Sequence, residues 1–179
     1  MTTDKIYLVG FMACGKSTVA RALAERLHWR AEDIDDLIEA RERRPIADIF
    51  AKQGEPYFRA VEREMLTLVL PLRHAVVATG GGTFADDENR AVIARDGVAV
   101  WLDMPLPELI GRIPVDGRRP LAADLSQLER LYLTRVESYR LAAVHVAAAR
   151  LSVSDVVDRI LDALDRAPSF VVRPSTESR

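Results

Sequence analysis

The chain of 179 residues is 49% hydrophobic and 29% charged, with a formal net charge of −2. This balance suits one domain with a real core, and the slight acidity argues against a nucleic-acid binder. Cys14 is the single cysteine, which excludes an intrachain disulfide and a cysteine metal cluster. No stretch approaches the ~20 apolar residues of a membrane span, and the first residues lack a signal-peptide pattern, so we expect a cytoplasmic protein.

Short apolar runs alternate with longer amphipathic segments, a pattern typical of βα units and a parallel sheet. In chain order the pattern predicts strands at 5–10, 30–35, 74–82, 98–103 and 143–147. It predicts helices from residue 16, from residue 36, and over 45–54, 56–70, 86–97, 106–112, 125–142 and 153–165. Residues 113–124 are expected to form a loop, and the tail from Pro168 is expected to be loose.

The stretch GFMACGKST, residues 10–18, matches the phosphate-loop pattern between a predicted strand and a predicted helix. Its backbone N–H groups are expected to face nucleotide phosphates, with Lys16 at the β and γ oxygens and Ser17 on Mg²⁺. The predicted nucleotide-binding residues are Ala13, Cys14, Gly15, Lys16, Ser17 and Thr18. Ala13 stands where a third glycine would add flexibility, and we expect it to be tolerated with a negative φ angle.

Two carboxylates, Asp33 and Asp35, end the second predicted strand. On a strand they would point to the same side, at the sheet edge where open α/β folds bind ligands. One would orient Mg²⁺ through water, and the other would accept the hydrogen bond and the proton of an acceptor hydroxyl. The alternative is that Asp35 or Asp36 only caps the next helix, where Asp36 and Glu39 have the spacing of a capping box.

One predicted helix carries an arginine on its apolar face. Because a buried unpaired charge is costly, Arg135 needs an anion from the protein or a ligand, unless its guanidinium extends to water. Arg59 is a different case, since the spacing favours a pairing with Glu55 or Glu62 on its own helix. The residues on the apolar face that includes the first arginine are Leu125, Leu128, Tyr132, Arg135 and Tyr139.

Three arginines, Arg112, Arg118 and Arg119, frame the predicted loop 113–124. A mobile basic loop over a phosphate site would act as a lid that excludes water and adds positive charge. The alternative is a solvated surface loop, which we prefer for Arg118.

Three consecutive glycines, Gly80, Gly81 and Gly82, end the third predicted strand. One glycine would suffice for a turn, so three favour a close approach of a ligand to backbone N–H groups. This strand lacks the terminal Asp that many phosphate-loop enzymes use for Mg²⁺, which makes Asp33 more necessary as the outer partner of the metal.

Taken in chain order, GFMACGKST, DIDDLIE, IADIFAKQGEPYFRAVE, ATGGG, RRPL and RVESY resemble the shikimate kinase family over about residues 5–165. The resemblance implies transfer of the γ-phosphoryl group of MgATP to the 3-hydroxyl of shikimate, on the route to chorismate and the aromatic amino acids. It also implies a phosphate-loop NTPase of the nucleoside-monophosphate-kinase-like group, a three-layer α/β/α fold with a five-stranded parallel sheet. The expected single domain spans 1–179, with a core at 5–166, a lid at 112–124, an acceptor region at 33–62 and a flexible tail at 167–179.

The resemblance also assigns roles to particular residues. Asp33 would hold Mg²⁺ through water, while Asp35 would bind the shikimate hydroxyls and act as the base. Arg59 and Arg135 would grip the shikimate carboxylate, and Arg119 would lie near the transferring phosphate. The glycine run would contact shikimate through its backbone. The arginines expected near the adenine are Arg112 and Arg150.

Some positions depart from the family pattern. Ala13 replaces a common glycine of the phosphate loop, Arg43 stands where a glycine often separates two helices, and 146–152 replaces a more polar loop beside the adenine. Two other functions stay open: a kinase for another polyol acid such as gluconate, and a silent relative that binds nucleotide or a partner protein. The second would have lost Lys16, Ser17, Asp35 or an arginine, and all are present. We expect a monomer without nucleic-acid or membrane partners.

Overall fold

The structure, a computed structural model, describes residues 2–113, 125–166 and 171–172. Its strands are β1 Thr2–Thr3, β2 Lys5–Val9, β3 Arg30–Asp33, β4 Ala75–Ala78, β5 Val98–Asp103, β6 Val144–Ala147 and β7 Val171–Val172. Its α-helices are α1 Lys16–Leu27, α2 Ile34–Glu42, α3 Ile46–Val69, α4 Asp87–Asp96, α5 Leu106–Arg112, α6 Leu125–Tyr139 and α7 Val153–Arg166. A short 3₁₀ turn at Thr83–Ala85 lies between β4 and α4.

Five strands form one sheet in the order β3-β4-β2-β5-β6, and every neighbouring pair is parallel. The central strand is β2, in which Ile6 lies opposite Val76 on one side and Val98 on the other. Every residue of β2 and β4 is buried. Because successive side chains point to opposite faces, both faces of the sheet are covered. The prediction of an α/β fold with a five-stranded parallel sheet is therefore confirmed.

Several elements end earlier than the sequence predicts. Strand β3 ends at Asp33 instead of residue 35, because Asp33 already begins the next helix as its N-cap. Strand β4 ends at Ala78, so the glycine run lies beyond the sheet. Helix α6 ends at Tyr139 rather than at residue 142. These shifts place the predicted site residues at or just beyond the carboxyl ends of the strands.

Helix α3 is interrupted at Gly54, whose φ of 77° and ψ of 176° are not helical. The sequence predicts this break, since Pro56 follows and cannot continue the hydrogen-bond ladder of the preceding turn. Helix α2 ends at Arg43 with a left-handed φ of 53°. The departure at Arg43 thus falls on a backbone position where glycine would be free of strain.

A buried lysine joins β2 to the ends of two helices. Lys5 is 0% exposed, and its Nζ donates to the carbonyls of Val69 at 2.9 Å and Leu70 at 2.7 Å and to Asp96 Oδ2 at 2.6 Å. Burial lowers the pKa of Lys5, although the carboxylate of Asp96 acts in the opposite direction. This junction lies at the amino end of β2, away from the phosphate loop, and fixes α3 and α4 against the sheet.

A second, smaller sheet is formed by strands β1 and β7. Thr2–Thr3 and Val171–Val172 pair as a parallel two-stranded sheet, which the sequence did not predict. A run of two residues is too short for a recognisable periodicity.

Across the described ranges, every helix is too short or too polar to cross a membrane.

Candidate functional site

The phosphate loop connects β2 to α1 through a tight backbone path. Gly10 has a φ of 144°, and a Cβ atom there would lie 3.0 Å from both Cys14 Sγ and the Leu102 carbonyl oxygen. Gly15, with a φ of 94°, is the N-cap of α1. Because glycine has no side chain to cap the helix, the first N–H groups of α1 are available to an anion. The loop therefore has the geometry of a phosphate-binding turn.

Ala13 adopts a conformation opposite to the one expected from the sequence. Its φ is 64°, in the left-handed region, so the prediction of a negative φ is wrong. The turn from Phe11 to Cys14 sets this angle, because the Cys14 N–H donates to the Phe11 carbonyl at 3.4 Å. A left-handed alanine costs roughly 1–2 kcal/mol, a strain that glycine would not carry.

Lys16 is folded against the phosphate loop and is 9% exposed. Its Nζ donates to the carbonyls of Gly10 at 3.0 Å and Phe11 at 2.9 Å, and lies 3.8 Å from Cys14 Sγ. The ammonium group therefore lies on the concave side of the loop. Ser17 is exposed in the first turn of α1, where its hydroxyl is accessible to a ligand.

The carboxylates after β3 do not share one strand, so that prediction is wrong. Asp33 ends the strand and caps α2, where its Oδ1 accepts a hydrogen bond from the Asp35 N–H at 2.9 Å. Asp35 lies in the first turn of α2 instead. An aspartate at the N-cap outweighs continuation of the strand, because it satisfies an unpaired helical N–H group. The cap is thus Asp33, not Asp35 or Asp36.

The predicted capping box of Asp36 and Glu39 is also absent. Asp36 forms an exposed ion pair with Arg21 at 3.3 Å. Glu39 Oε1 accepts a hydrogen bond from the Ile46 N–H at 2.9 Å and so holds the start of α3. Because α2 begins earlier than predicted, these two residues lie past its N-terminus.

The glycine run creates space for the side chains of its neighbours. A Cβ atom at Gly80 would lie 2.6 Å from Glu62 Oε1 and 3.0 Å from Asp35 Oδ1. A Cβ atom at Gly82 would lie 2.5 Å from the Arg59 guanidinium, and one at Gly81 would lie 3.1 Å from Arg135 Nη1. A larger residue would displace these groups. The run thus brings together three predicted acceptor residues, which are Asp35, Arg59 and Arg135.

Arg59 is held by two carboxylates of its own helix, as the spacing predicts. Its Nη2 lies 3.0 Å from Glu55 Oε1, and its Nη1 lies 2.8 Å from Glu62 Oε2. Burial lowers the pKa of Arg59, but the two carboxylates outweigh burial and leave the pKa above its usual value. The Thr83 hydroxyl donates to Glu62 Oε1 at 2.7 Å, and both residues are 0% exposed.

The sequence predicts Glu62 only as one possible partner of Arg59, and it does not predict the hydrogen bond from Thr83 to Glu62. Nothing in the local pattern marks a threonine directly after three glycines as the partner of a buried carboxylate. The Glu62 spacing was visible, but its complete burial depends on contacts between distant segments.

Arg135 is a buried cation on α6. It is 6% exposed, and none of the described carboxylates lies within salt-bridge distance of its guanidinium. Its guanidinium carbon lies 5.8 Å from the Phe11 ring centroid, and the neighbouring Tyr139 hydroxyl donates to the Gly81 carbonyl. Burial is the largest influence and lowers the pKa of Arg135. A buried cation in this setting is suited to bind an anionic ligand.

Two of the four arginines predicted for the lid and the adenine side lie among the described residues. Arg118 and Arg119 lie outside the described residues. Arg112 is exposed at the end of α5. Arg150 is mostly exposed. Its backbone N–H donates to Glu108 Oε2 at 3.2 Å, and its side-chain Nε lies 3.5 Å from Glu108 Oε1. Because Glu108 also belongs to α5, the two adenine candidates lie on neighbouring segments.

The residues expected to bind Mg²⁺ are Ser17 and Asp33. Among the described residues, no cluster of three or more His, Cys, Asp or Glu side chains could hold a metal. Ser17 offers an accessible hydroxyl, and Asp33 keeps one oxygen beyond the Oδ1 that caps α2. Mg²⁺ in kinases needs only one or two protein oxygens, since water and phosphates complete its shell. The residues present therefore fit Mg²⁺ bound together with a nucleotide.

A parallel sheet with a phosphate loop after its central strand, and a glycine run packed against a buried arginine, is typical of phosphate-loop kinases. The shikimate kinase family model matches residues 12–165. A shikimate kinase of Sulfurihydrogenibium sp. is 40% identical over 162 residues, which cover 90% of this chain and 98% of that protein. The chain belongs to the shikimate kinase family.

Solved structures agree with this family. Shikimate kinase from Acinetobacter baumannii in complex with shikimate is 34% identical with a TM-score of 0.86, covering 90% of this chain and 92% of that one. Shikimate kinase from Aquifex aeolicus is also 34% identical with a TM-score of 0.82, covering 90% of this chain and 96% of that one. The shared architecture thus extends over nearly all of the chain.

Proposed function

We propose that the protein transfers the γ-phosphoryl group of ATP to the 3-hydroxyl of shikimate, giving shikimate 3-phosphate and ADP. Family membership supports this reaction, which lies on the route to chorismate and the aromatic amino acids. The structural observation that carries the proposal is Arg135, a buried cation near Arg59 with no described carboxylate in salt-bridge range. Such a position favours an anionic acceptor, and shikimate brings a carboxylate.

In the nucleotide half, the loop N–H groups and the start of α1 bind the phosphates of ATP. Lys16 swings from the loop carbonyls to the β and γ oxygens. Ser17 and, through water, Asp33 would hold Mg²⁺. When bound, the ion neutralises the developing charge on the phosphates. We also assign Arg112 and Arg150 to the adenine side and Arg119 to the transferring phosphate.

In the acceptor half, the planar guanidinium groups of Arg59 and Arg135 bind the shikimate carboxylate through paired hydrogen bonds. The backbone of Gly80–Gly82 lines the same pocket. Asp35 then accepts the hydrogen bond of the reacting hydroxyl and takes its proton as the oxygen attacks the γ-phosphorus. The transfer is direct and in line, with no phosphoenzyme, so catalysis consists mainly of positioning and charge neutralisation.

A gluconate-type kinase is the main alternative, because it would keep the phosphate loop and use another polyol acid. The combination of Arg59, Arg135 and the glycine run favours shikimate, since guanidinium groups from two helices lie against the same run. A silent nucleotide-binding relative is disfavoured because Lys16, Ser17 and Asp35 are all retained.

An assay of ADP release with separate additions of shikimate, gluconate and no acceptor tests the proposal. We expect ADP release that depends on shikimate, and NMR of the product should find the new phosphate on the 3-hydroxyl. Equal ADP release with and without shikimate would refute the proposed reaction. Preference for gluconate would support the alternative kinase instead.

We further propose that the protein works in the cytoplasm as a monomer. Every described helix is too short or too polar to span a membrane. The residues assigned above supply each group that the proposed transfer needs, so the reaction does not require a second copy of the chain. Light scattering coupled to gel filtration should return a mass near 19.9 kDa. A mass twice as large at working concentrations would contradict the monomer.

A further inference from the structure

The short turn at Thr83–Ala85 directly follows the glycine run and is joined to Glu62 in the proposed acceptor region. Its first two residues are 0% and 1% exposed. Two of its N–H groups donate to carbonyls of the glycine run, at 3.2 Å and 3.1 Å. The carbonyls of Phe84 and Ala85 face the other end, where so short a turn has no N–H group left to offer.

Arg90, in the first half of α4, supplies the missing donors. Its Nη1 donates to the Phe84 carbonyl at 3.0 Å and lies 3.5 Å from the Ala85 carbonyl oxygen. Its Nη2 donates to Asp87 Oδ1 at 2.5 Å, and its guanidinium carbon lies 5.9 Å from the Phe84 ring centroid. The side chain is 19% exposed. One guanidinium thus fixes the turn to the start of α4.

The Thr83–Ala85 turn is linked through Glu62 to Arg59, one of the two arginines of the proposed acceptor pocket. The Thr83 hydroxyl donates to Glu62 Oε1 at 2.7 Å, and Glu62 Oε2 lies 2.8 Å from Arg59 Nη1. The Gly82 backbone also packs against the Arg59 guanidinium, because a Cβ atom there would lie 2.5 Å away. A displacement of the turn would therefore move Arg59 through two contacts.

We propose that Arg90 is a positioning residue for the acceptor half of the site. It acts through the turn and Glu62 on Arg59, without touching either substrate. This inference rests on the proposed function, since it assigns Arg59 to the acceptor carboxylate. Lys16 depends on contacts within its own loop, so loss of Arg90 should weaken acceptor binding and spare ATP.

The test compares Arg90→Met, Arg90→Lys and the control Arg95→Met, which removes an exposed arginine from the same helix. We expect Arg90→Met to raise the KM for shikimate by roughly 10- to 100-fold, since a misplacement of about 1 Å has effects of that size. The KM for ATP should change less than about twofold, because Lys16 and the loop are untouched. Lysine keeps the positive charge and one donor nitrogen but loses the planar fork, so Arg90→Lys should give a smaller rise.

Calorimetry of shikimate binding and thermal unfolding should accompany the kinetics. A weaker shikimate Kd at an unchanged ATP KM supports the inference, and partial recovery in Arg90→Lys supports it further. Equal rises in both KM values, or a lower melting temperature with an unchanged shikimate Kd, would overturn it. If Arg90→Met does not fold, Arg90→Lys decides in the same way. A wild-type protein that ignores shikimate would instead refute the proposed function, and the inference with it.

Discussion

The phosphate loop and the acceptor pocket are built by different means. The loop is one continuous stretch, residues 10–18, whose proposed ligand groups are mainly backbone N–H groups and one lysine. The proposed acceptor pocket is assembled from side chains of α2, α3 and α6 around the glycine run. A site made from local backbone tolerates side-chain changes, whereas a site made from distant charged side chains depends on each of them. The following variants measure that difference.

The largest expected effect comes from Asp35→Asn in the acceptor pocket. The amide keeps the shape of the side chain but cannot take a proton, so kcat should fall by ~10²–10⁴-fold. Binding of ATP, measured by calorimetry, should stay within about twofold, because the phosphate loop lies on another segment. Asp36→Asn is the matched control, since this neighbouring carboxylate forms an exposed ion pair with Arg21. Near-normal turnover of Asp35→Asn would remove its proposed role as base.

Arg135→Lys should have the next largest effect. Lysine keeps the charge but loses the planar pair of donors, so the KM for shikimate should rise about 100-fold. Arg140→Lys makes the same exchange just beyond α6, where the arginine is exposed and pairs with Glu137 at 2.6 Å. That control should leave both KM values within about twofold. A selective rise in the KM for ATP would show that Arg135 serves the nucleotide half instead.

Glu62→Gln and Glu55→Gln separate the two partners of Arg59. Glu62 is 0% exposed, while the Glu55 side chain is 54% exposed, and both carboxylates contact the same guanidinium. Loss of the buried charge should raise the KM for shikimate roughly tenfold and lower the melting temperature, because Arg59 loses its desolvated partner. Loss of the exposed charge should change the KM by less than about twofold. Equal effects of the two variants would contradict this division.

The same contrast explains what could be predicted from the sequence. The sheet and the phosphate loop were predictable because both signals are local. The strands are short apolar runs between amphipathic segments, and the loop has a fixed spacing of glycines. The position of Asp35 was not predictable from the sequence. Asp33 could either continue β3 or cap α2, and that choice decides whether Asp35 lies on the strand or in the helix. The Glu62 and Thr83 hydrogen bond joins residues 21 positions apart, and no local pattern records it. The two partners of Arg59 were predictable, since residues three and four positions apart on one helix are neighbours.

Ala13→Gly should have the smallest effect, although it changes the phosphate loop itself. Glycine removes the left-handed strain at a φ of 64°, worth roughly 1–2 kcal/mol. It also adds freedom to the unfolded chain, which opposes folding by about 0.4–1 kcal/mol. The free energy of unfolding in urea should therefore change by less than about 1.5 kcal/mol. The KM for ATP should stay within about twofold, because the N–H groups of the loop bind the phosphates whatever the side chain at this position. A tenfold loss of ATP affinity would show that the stiffness of alanine is needed, and the phosphate loop would then depend on side chains as the acceptor pocket does.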